Sequence, residues 1–143
     1  MVQKILNAVT TAIDATFGYD LIYTDEVPQG VELPYAFITA ESSPRIKLAG
    51  DRYGESTTVS VIIEIEQSED MFDNLRTIGN QLEDALEYIT LSDGDILRGD
   101  NFHKVIRDGY VDLTVDYSYF IRKIKDADET MQTVTNDVTT KNN

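Results

Sequence analysis

The chain has 143 residues, a length that suits one domain, and 41% of them are hydrophobic, enough for a core that needs no metal or disulfide to hold it. Twenty-six acidic residues against 12 basic ones give a net charge of −14 with no run of Lys or Arg, which argues against tight binding to nucleic-acid phosphates. The absence of cysteine excludes disulfides, thiolate catalysis and Cys-based zinc sites.

Residues 2–17 are predicted to be a helix: Ile5, Ala8, Val9, Ala12, Ile13 and Phe17 recur at helical spacing, and Gly18 follows where a C-cap belongs. The chain opens with no signal-like apolar block and contains no apolar run long enough to span a membrane, so a soluble, cytoplasmic product is expected. Leu21-Ile22-Tyr23 reads as a brief strand, and Val27-Pro28-Gln29-Gly30 as a loop. Residues 35–40 form a second strand candidate that starts after Pro34 rather than containing it.

Residues 43–56 (SPRIKLAGDRYGES) read as a long polar connection that holds three of the 12 basic residues, Arg45, Lys47 and Arg52. Connections of this length without their own structure are usually functional or mobile. Residues 57–66 carry the clearest alternation: Val59, Val61, Ile63 and Ile65 are apolar, while Thr58, Ser60, Glu64 and Glu66 are polar, with Ile62 the exception. One face of this strand should therefore be buried and the other wet.

Ser68 and Asp70 are expected to open a second helix, with Glu69, Asp70 and Asp73 favouring its N-terminal dipole. Met71, Leu75, Ile78, Leu82, Leu86 and Ile89 mark its buried stripe, and its end is expected near Tyr88. Residues 90–101 look turn-rich. Two strands, 102–107 and 110–122, then flank Asp108-Gly109, a dipeptide that favours a two-residue type I′ hairpin turn. In the last strand Val111, Leu113, Val115, Tyr117, Tyr119 and Ile121 share one face, and Asp112, Thr114, Asp116, Ser118 and Arg122 the other. From residue 126 the composition turns polar, so residues 126–143 are expected to form a flexible tail on a single domain spanning 1–125. Met131, Val134 and Val138 retain helical spacing suited to docking on a partner.

The resulting order is α-β-β-β-α-β-β, an α+β fold with a mostly antiparallel four-stranded sheet and both helices on one face. The other face carries Glu64, Glu66, Asp112 and Asp116. Chemistry is sparse. His103 is the one histidine and has no evident nucleophile or orienting acid, so it reads as an ordinary strand residue. The four carboxylates suggest a solvated acidic face, with a carboxylate-dependent metal nuclease as the rival of another class; that rival lacks a basic groove. Ser92-Asp93-Gly94-Asp95 fails as a calcium loop, because the sixth residue counted from Asp93 is Arg98 and the twelfth Lys104. No Gly-rich phosphate loop is present, and the aromatics sit at core spacing rather than between basic residues. No cofactor is expected.

Several pieces in order resemble one family. They are the first helix leading to Tyr19-Asp20-Leu21-Ile22-Tyr23-Thr24-Asp25-Glu26-Val27 and Gln29-Gly30, then Pro34-Tyr35-Ala36-Phe37-Ile38 and Gly50-Asp51-Arg52-Tyr53. Next come Leu82-Glu83-Asp84-Ala85-Leu86-Glu87-Tyr88-Ile89, Leu97-Arg98-Gly99, Asp108-Gly109-Tyr110, Val115-Asp116-Tyr117 and Phe120-Ile121-Arg122-Lys123. Together they are similar to the tail terminator proteins of long-tailed phages and prophages of Gram-positive bacteria. The resemblance covers most of 1–125 and extends weakly to Met131. It departs at Pro34-Tyr35, where a Cys or small residue is expected after the proline.

The resemblance implies a subunit with no catalytic residues. It would close into a ring, expected to be a hexamer, that caps the tail tube, stops polymerisation and presents the surface on which the head connector docks. Its partners would be itself, the tube protein and the connector; DNA would pass without being bound specifically, and no membrane would be involved. The location would be the host cytoplasm during assembly and then the virion. On this reading Arg45, Lys47, Arg52 and Tyr53 are candidates for contact with a neighbouring subunit or the tube, and Glu64, Glu66, Asp112 and Asp116 for an acidic channel lining. A head–tail connector or stopper is the nearest rival, and a host adaptor or regulatory protein a more distant one.

Overall fold

A computed structural model describes residues 1–122. The elements in chain order are α1 (Val2–Phe17), β1 (Ile22–Tyr23), β2 (Tyr35–Ser42), β3 (Ile46–Lys47), β4 (Arg52–Glu64), α2 (Met71–Leu86), β5 (Tyr88–Thr90), β6 (Ile96–Arg107) and β7 (Tyr110–Arg122). The expected polar tail, 126–143, lies outside the described residues. Among the described residues, 1–43 and 56–118 form one compact unit, and 44–55 with 119–122 form a second.

The fold class is α+β with two helices, as expected, but the sheet is larger than the four strands anticipated. Seven strands pair in the order β1-β2-β4-β7-β6-β5, with β3 joined to β4. The sheet is mixed: β1 runs parallel to β2, while β2–β4, β3–β4, β5–β6 and β6–β7 are antiparallel.

In the larger unit, alternation determines which side chains enter the core. Ala36 and Ile38 of β2, Val59, Val61 and Ile63 of β4, and Val111, Leu113, Val115 and Tyr117 of β7 are all buried. They meet Ile5, Val9 and Ile13 of α1 and Leu75, Leu82 and Leu86 of α2, each fully buried. Helix α1 packs against β2, β5 and α2, and α2 against β5 and β6. Each fully buried Val, Ile or Leu contributes about 1.5–3 kcal/mol relative to exposure, so this apolar set is the main stabilising term.

Helix α1 ends as its sequence predicts. Gly18 takes a left-handed φ of 64°, and its N–H donates to the Asp14 carbonyl at 2.8 Å, satisfying one of the carbonyls orphaned at the helix end. Helix α2 starts at Met71 behind Asp70, without a side-chain cap; Ser68 contributes its backbone carbonyl, which accepts from Met71 N–H at 3.2 Å. It stops at Leu86, two residues before the expected end, because Tyr88 enters β5.

The Asp108-Gly109 turn joins Arg107 directly to Tyr110, a two-residue hairpin as predicted. It is not type I′, since Gly109 has a φ of 95° but Asp108 stays at negative φ. At Gly79 of α2, an added Cβ would stand 2.6 Å from Cδ of Lys104. The Lys104 stem thus lies against the bare helix backbone, and its ammonium donates to Asn80 Oδ1 at 2.9 Å and sits 3.5 Å from Glu83 Oε1.

Candidate functional site

The segment expected to be a loop is a β-hairpin that carries all four predicted interface residues. Ile46 pairs with Gly54 and Lys47 with Tyr53. The turn closes through Leu48 N–H donating to the Arg52 carbonyl at 2.9 Å, with Gly50 at φ 70°. Arg45 Nε lies 3.5 Å from Glu55 Oε2, and the other Glu55 oxygen accepts from the Tyr119 hydroxyl at 2.7 Å. The Arg52 guanidinium covers the Phe120 ring at 4.3 Å, a cation–π contact. Tyr53 is half-buried; Lys47 is exposed and has no ion pair among the described residues.

The sequence reading missed the apolar side of this unit. Ile46 is 67% exposed and Phe120 65%, and Leu48 is exposed as well. Along 45–48 the order cation, apolar, cation, apolar therefore gives a strand with one basic and one greasy side. Period-2 alternation was the available signal, but the flanking Gly50, Asp51 and Gly54 obscured it.

The acidic face lies in the larger unit. Asp112 accepts from Ser60 Oγ at 3.3 Å, and Asp116 from Thr58 Oγ1 at 2.6 Å and Asn101 Nδ2 at 3.0 Å. Glu64, at the end of β4, accepts from the Tyr35 hydroxyl at 2.6 Å. That bond, followed by burial and the Glu64 charge, pushes the Tyr35 pKa up to about 12. Strand alternation thus brings Glu64, Asp112 and Asp116 together with a row of hydroxyl donors. Glu66 stands two residues beyond the strand end and instead lines a groove with Tyr19, Pro34, Asn74 and Ile78. One further carboxylate joins the face: Asp100 of β6 lies directly opposite Asp116, across a bulge where Asn101 adopts φ 56°. The turn-rich reading of 90–101 concealed it.

Among the described residues no three or more His, Cys, Asp or Glu side chains converge in a group able to hold a metal ion. His103, opposite Thr114 in β6, is an exposed strand residue. The Ser92–Asp95 segment is a turn: Asp95 N–H donates to Asp93 Oδ1 at 3.1 Å and Lys4 pairs with Asp93 at 3.3 Å, which together hold the Asp93 carboxyl below its usual range. No helix among the described residues is long and apolar enough to cross a membrane.

Comparison with known proteins supplies the family. A solved structure aligns with 84% of this chain and 96% of its own at 11% identity and a TM-score of 0.41, a likeness too slight to argue from. No curated protein matches significantly. A family model described as phage tail terminator protein matches residues 4–130, nearly the whole chain, and so the chain belongs to the phage tail terminator family, a family of structural phage tail proteins.

Proposed function

We propose that this protein caps the head-proximal end of the phage tail tube, stops tube polymerisation and forms the surface on which the head connector docks. It acts as a closed ring, six copies in our reading, with residues 1–125 as the ring-forming domain. It is made in the host cytoplasm and ends in the virion neck. The observation that carries this reading is the family match over residues 4–130.

The molecule's physical chemistry supports the same role. A ring requires heterologous contacts that close by rotation, and the hairpin bearing Arg45, Lys47, Arg52 and Tyr53 presents exposed apolar and basic groups suited to a subunit or tube contact. The face bearing Glu64, Asp112 and Asp116 suits a channel wall, with Glu66 at its margin. Carboxylates there repel phosphates, so DNA passes without being held.

Electron microscopy of particles made with and without the protein tests the reading. Without it, tails of unregulated length and unjoined heads are expected. Tails of normal length that remain detached from heads would favour a connector or stopper, and normal tails on heads would refute both. Alanine at Arg45, Lys47, Arg52 and Tyr53 together should impair assembly; unchanged assembly and tail length would remove the hairpin from the interface.

A further inference from the structure

The 14 negative charges are unevenly spread along the chain. Residues 44–55 carry Arg45, Lys47 and Arg52 against Asp51 and Glu55, a net of +1 (3 − 2), so the remaining residues carry −15 (−14 − 1). Residues 5–44, by contrast, hold Asp14, Asp20, Asp25, Glu26, Glu32 and Glu41 and no base at all. The side chains of Asp25 and Glu26 are exposed and have no ion pair or hydrogen bond among the described residues. They differ in this from Glu64, Asp112 and Asp116, whose oxygens are already occupied by hydroxyl donors of their own chain.

Asp25 and Glu26 rim a shallow groove whose wall is Ile22, Tyr23 and Thr24. Ile22 and Tyr23 are β1, the terminal strand of the sheet order, paired on one side only, to β2. β3 is likewise two residues long and paired on one side only, to β4. Among the described residues three short strands, β1, β3 and β5, therefore have an open backbone edge. β3 belongs to a segment alternating cation and apolar side chain; β1 lies in a groove walled by Ile22, Tyr23 and Thr24 with an acidic rim. Open edges with unsatisfied N–H and C=O groups are templates for strand pairing.

We propose that the hairpin of one copy docks on the β1 flank of the next, with β3 lying along the outer edge of β1, Lys47 facing Asp25 and Glu26, and Ile46 against the groove wall. The occupant is a second copy of this chain because the basic segment and the unneutralised acidic rim are both its own. The contact joins two different surfaces, so it is heterologous and repeats around a ring. This inference rests on the ring reading above and specifies the surfaces that form the ring.

The lack of native cysteine allows a direct test. Lys47→Cys and Glu26→Cys chains are made separately, assembled together onto tails and oxidised. A disulfide-linked dimer is expected from the mixture and none from either variant alone. A dimer from Lys47→Cys alone, or a link from it to the tube protein, overturns the assignment, as does no dimer from the mixture.

A second variant set guards against mere disruption. Lys47→Glu should lower ring occupancy on tails about tenfold, as expected for loss of a specific charge pair. Asp25→Lys with Glu26→Lys in the same chain should restore it. Failure of the swap to restore occupancy also sinks the docking. Tail length is scored on the same particles. Regulated tails without the mixed dimer reject this interface and leave the terminator role standing, whereas normal tails in particles lacking the protein reject the role itself.

Discussion

Removing one hydroxyl from the core tests how α2 is tied to the sheet. Tyr117 on β7 is fully buried, and its hydroxyl donates to the Leu86 carbonyl at 2.6 Å. Leu86 is the last residue of α2, so this carbonyl is among those left without an intrahelical partner. Tyr117→Phe keeps the ring and its packing but leaves a buried acceptor without this donor, a loss of about 1–3 kcal/mol. With an unfolding entropy of about 2.1 cal/mol/K per residue, a chain of 143 residues changes Tm by about 3 °C per kcal/mol, so a fall of about 3–10 °C is expected. Thermal and urea unfolding followed by circular dichroism measure it, with the urea m value unchanged. Tyr35→Phe is the control: its partner Glu64 lies at the half-exposed strand end, and the cost there should stay below about 1 kcal/mol. If Tyr117→Phe is as stable as the parent protein at constant m, the bond does not anchor the helix end and the reasoning fails.

Three other outcomes are expected. Gly99→Ala should cost about 1–3 kcal/mol by overpacking, because the new Cβ would lie 2.7 Å from Val115 Cγ2, 2.8 Å from the Leu86 carbonyl and 2.9 Å from Phe102 Cζ; a melt unchanged from the parent would contradict this. Stability should fall with alkali. The pKa of Tyr35 is raised to about 12, chiefly by its bond to Glu64, and that of Tyr117 is raised further by burial, so the folded chain holds protons that the unfolded chain releases near pH 10. This contribution is complete below pH 10 and is lost from there to about 12 and beyond; Tyr117→Phe should flatten the decline in an alkaline urea series. Reversing Asp112 and Asp116 to lysine should leave rings on tails but slow or block DNA ejection, measured by dye uptake of released genomes; ejection at the normal rate would remove these residues from any channel role.

Much of the architecture was legible because burial imposes a period. The first helix, its glycine stop, the alternation of 59–63 and the long last strand each have one consistently apolar face, and each lies where that face predicts. The elements that escaped prediction lack such a face or borrow another period. β5 was absorbed into the second helix because Ile89 follows Leu86 at a helical i+3 step, although Ile89 is buried from a strand. β6 begins at Ile96, but its alternation breaks at the bulge between Asp100 and His103. The hairpin around β3 is held by backbone pairing while its side chains largely face solvent, so hydropathy carries little trace of it. The acidic face was legible for Asp112, Asp116 and Glu64, since strand period fixes their side. It was not for Glu66, which lies past the strand, nor for Asp100, which reaches the face only through cross-strand register.

The glycine in the middle of α2 has a mechanical consequence. Gly79 costs its helix about 1 kcal/mol relative to alanine, yet it alone leaves a notch for the Lys104 stem to cross. Sliding the helix along the sheet by one turn in either direction would bring Leu75 or Glu83 to that crossing, and neither leaves the space. The notch therefore acts as a detent that holds the helix at one position along β6. In the role proposed above, resistance to sliding under load would matter as much as equilibrium stability. Filling the notch would be expected to change how the subunit yields to force before it changes whether the subunit folds.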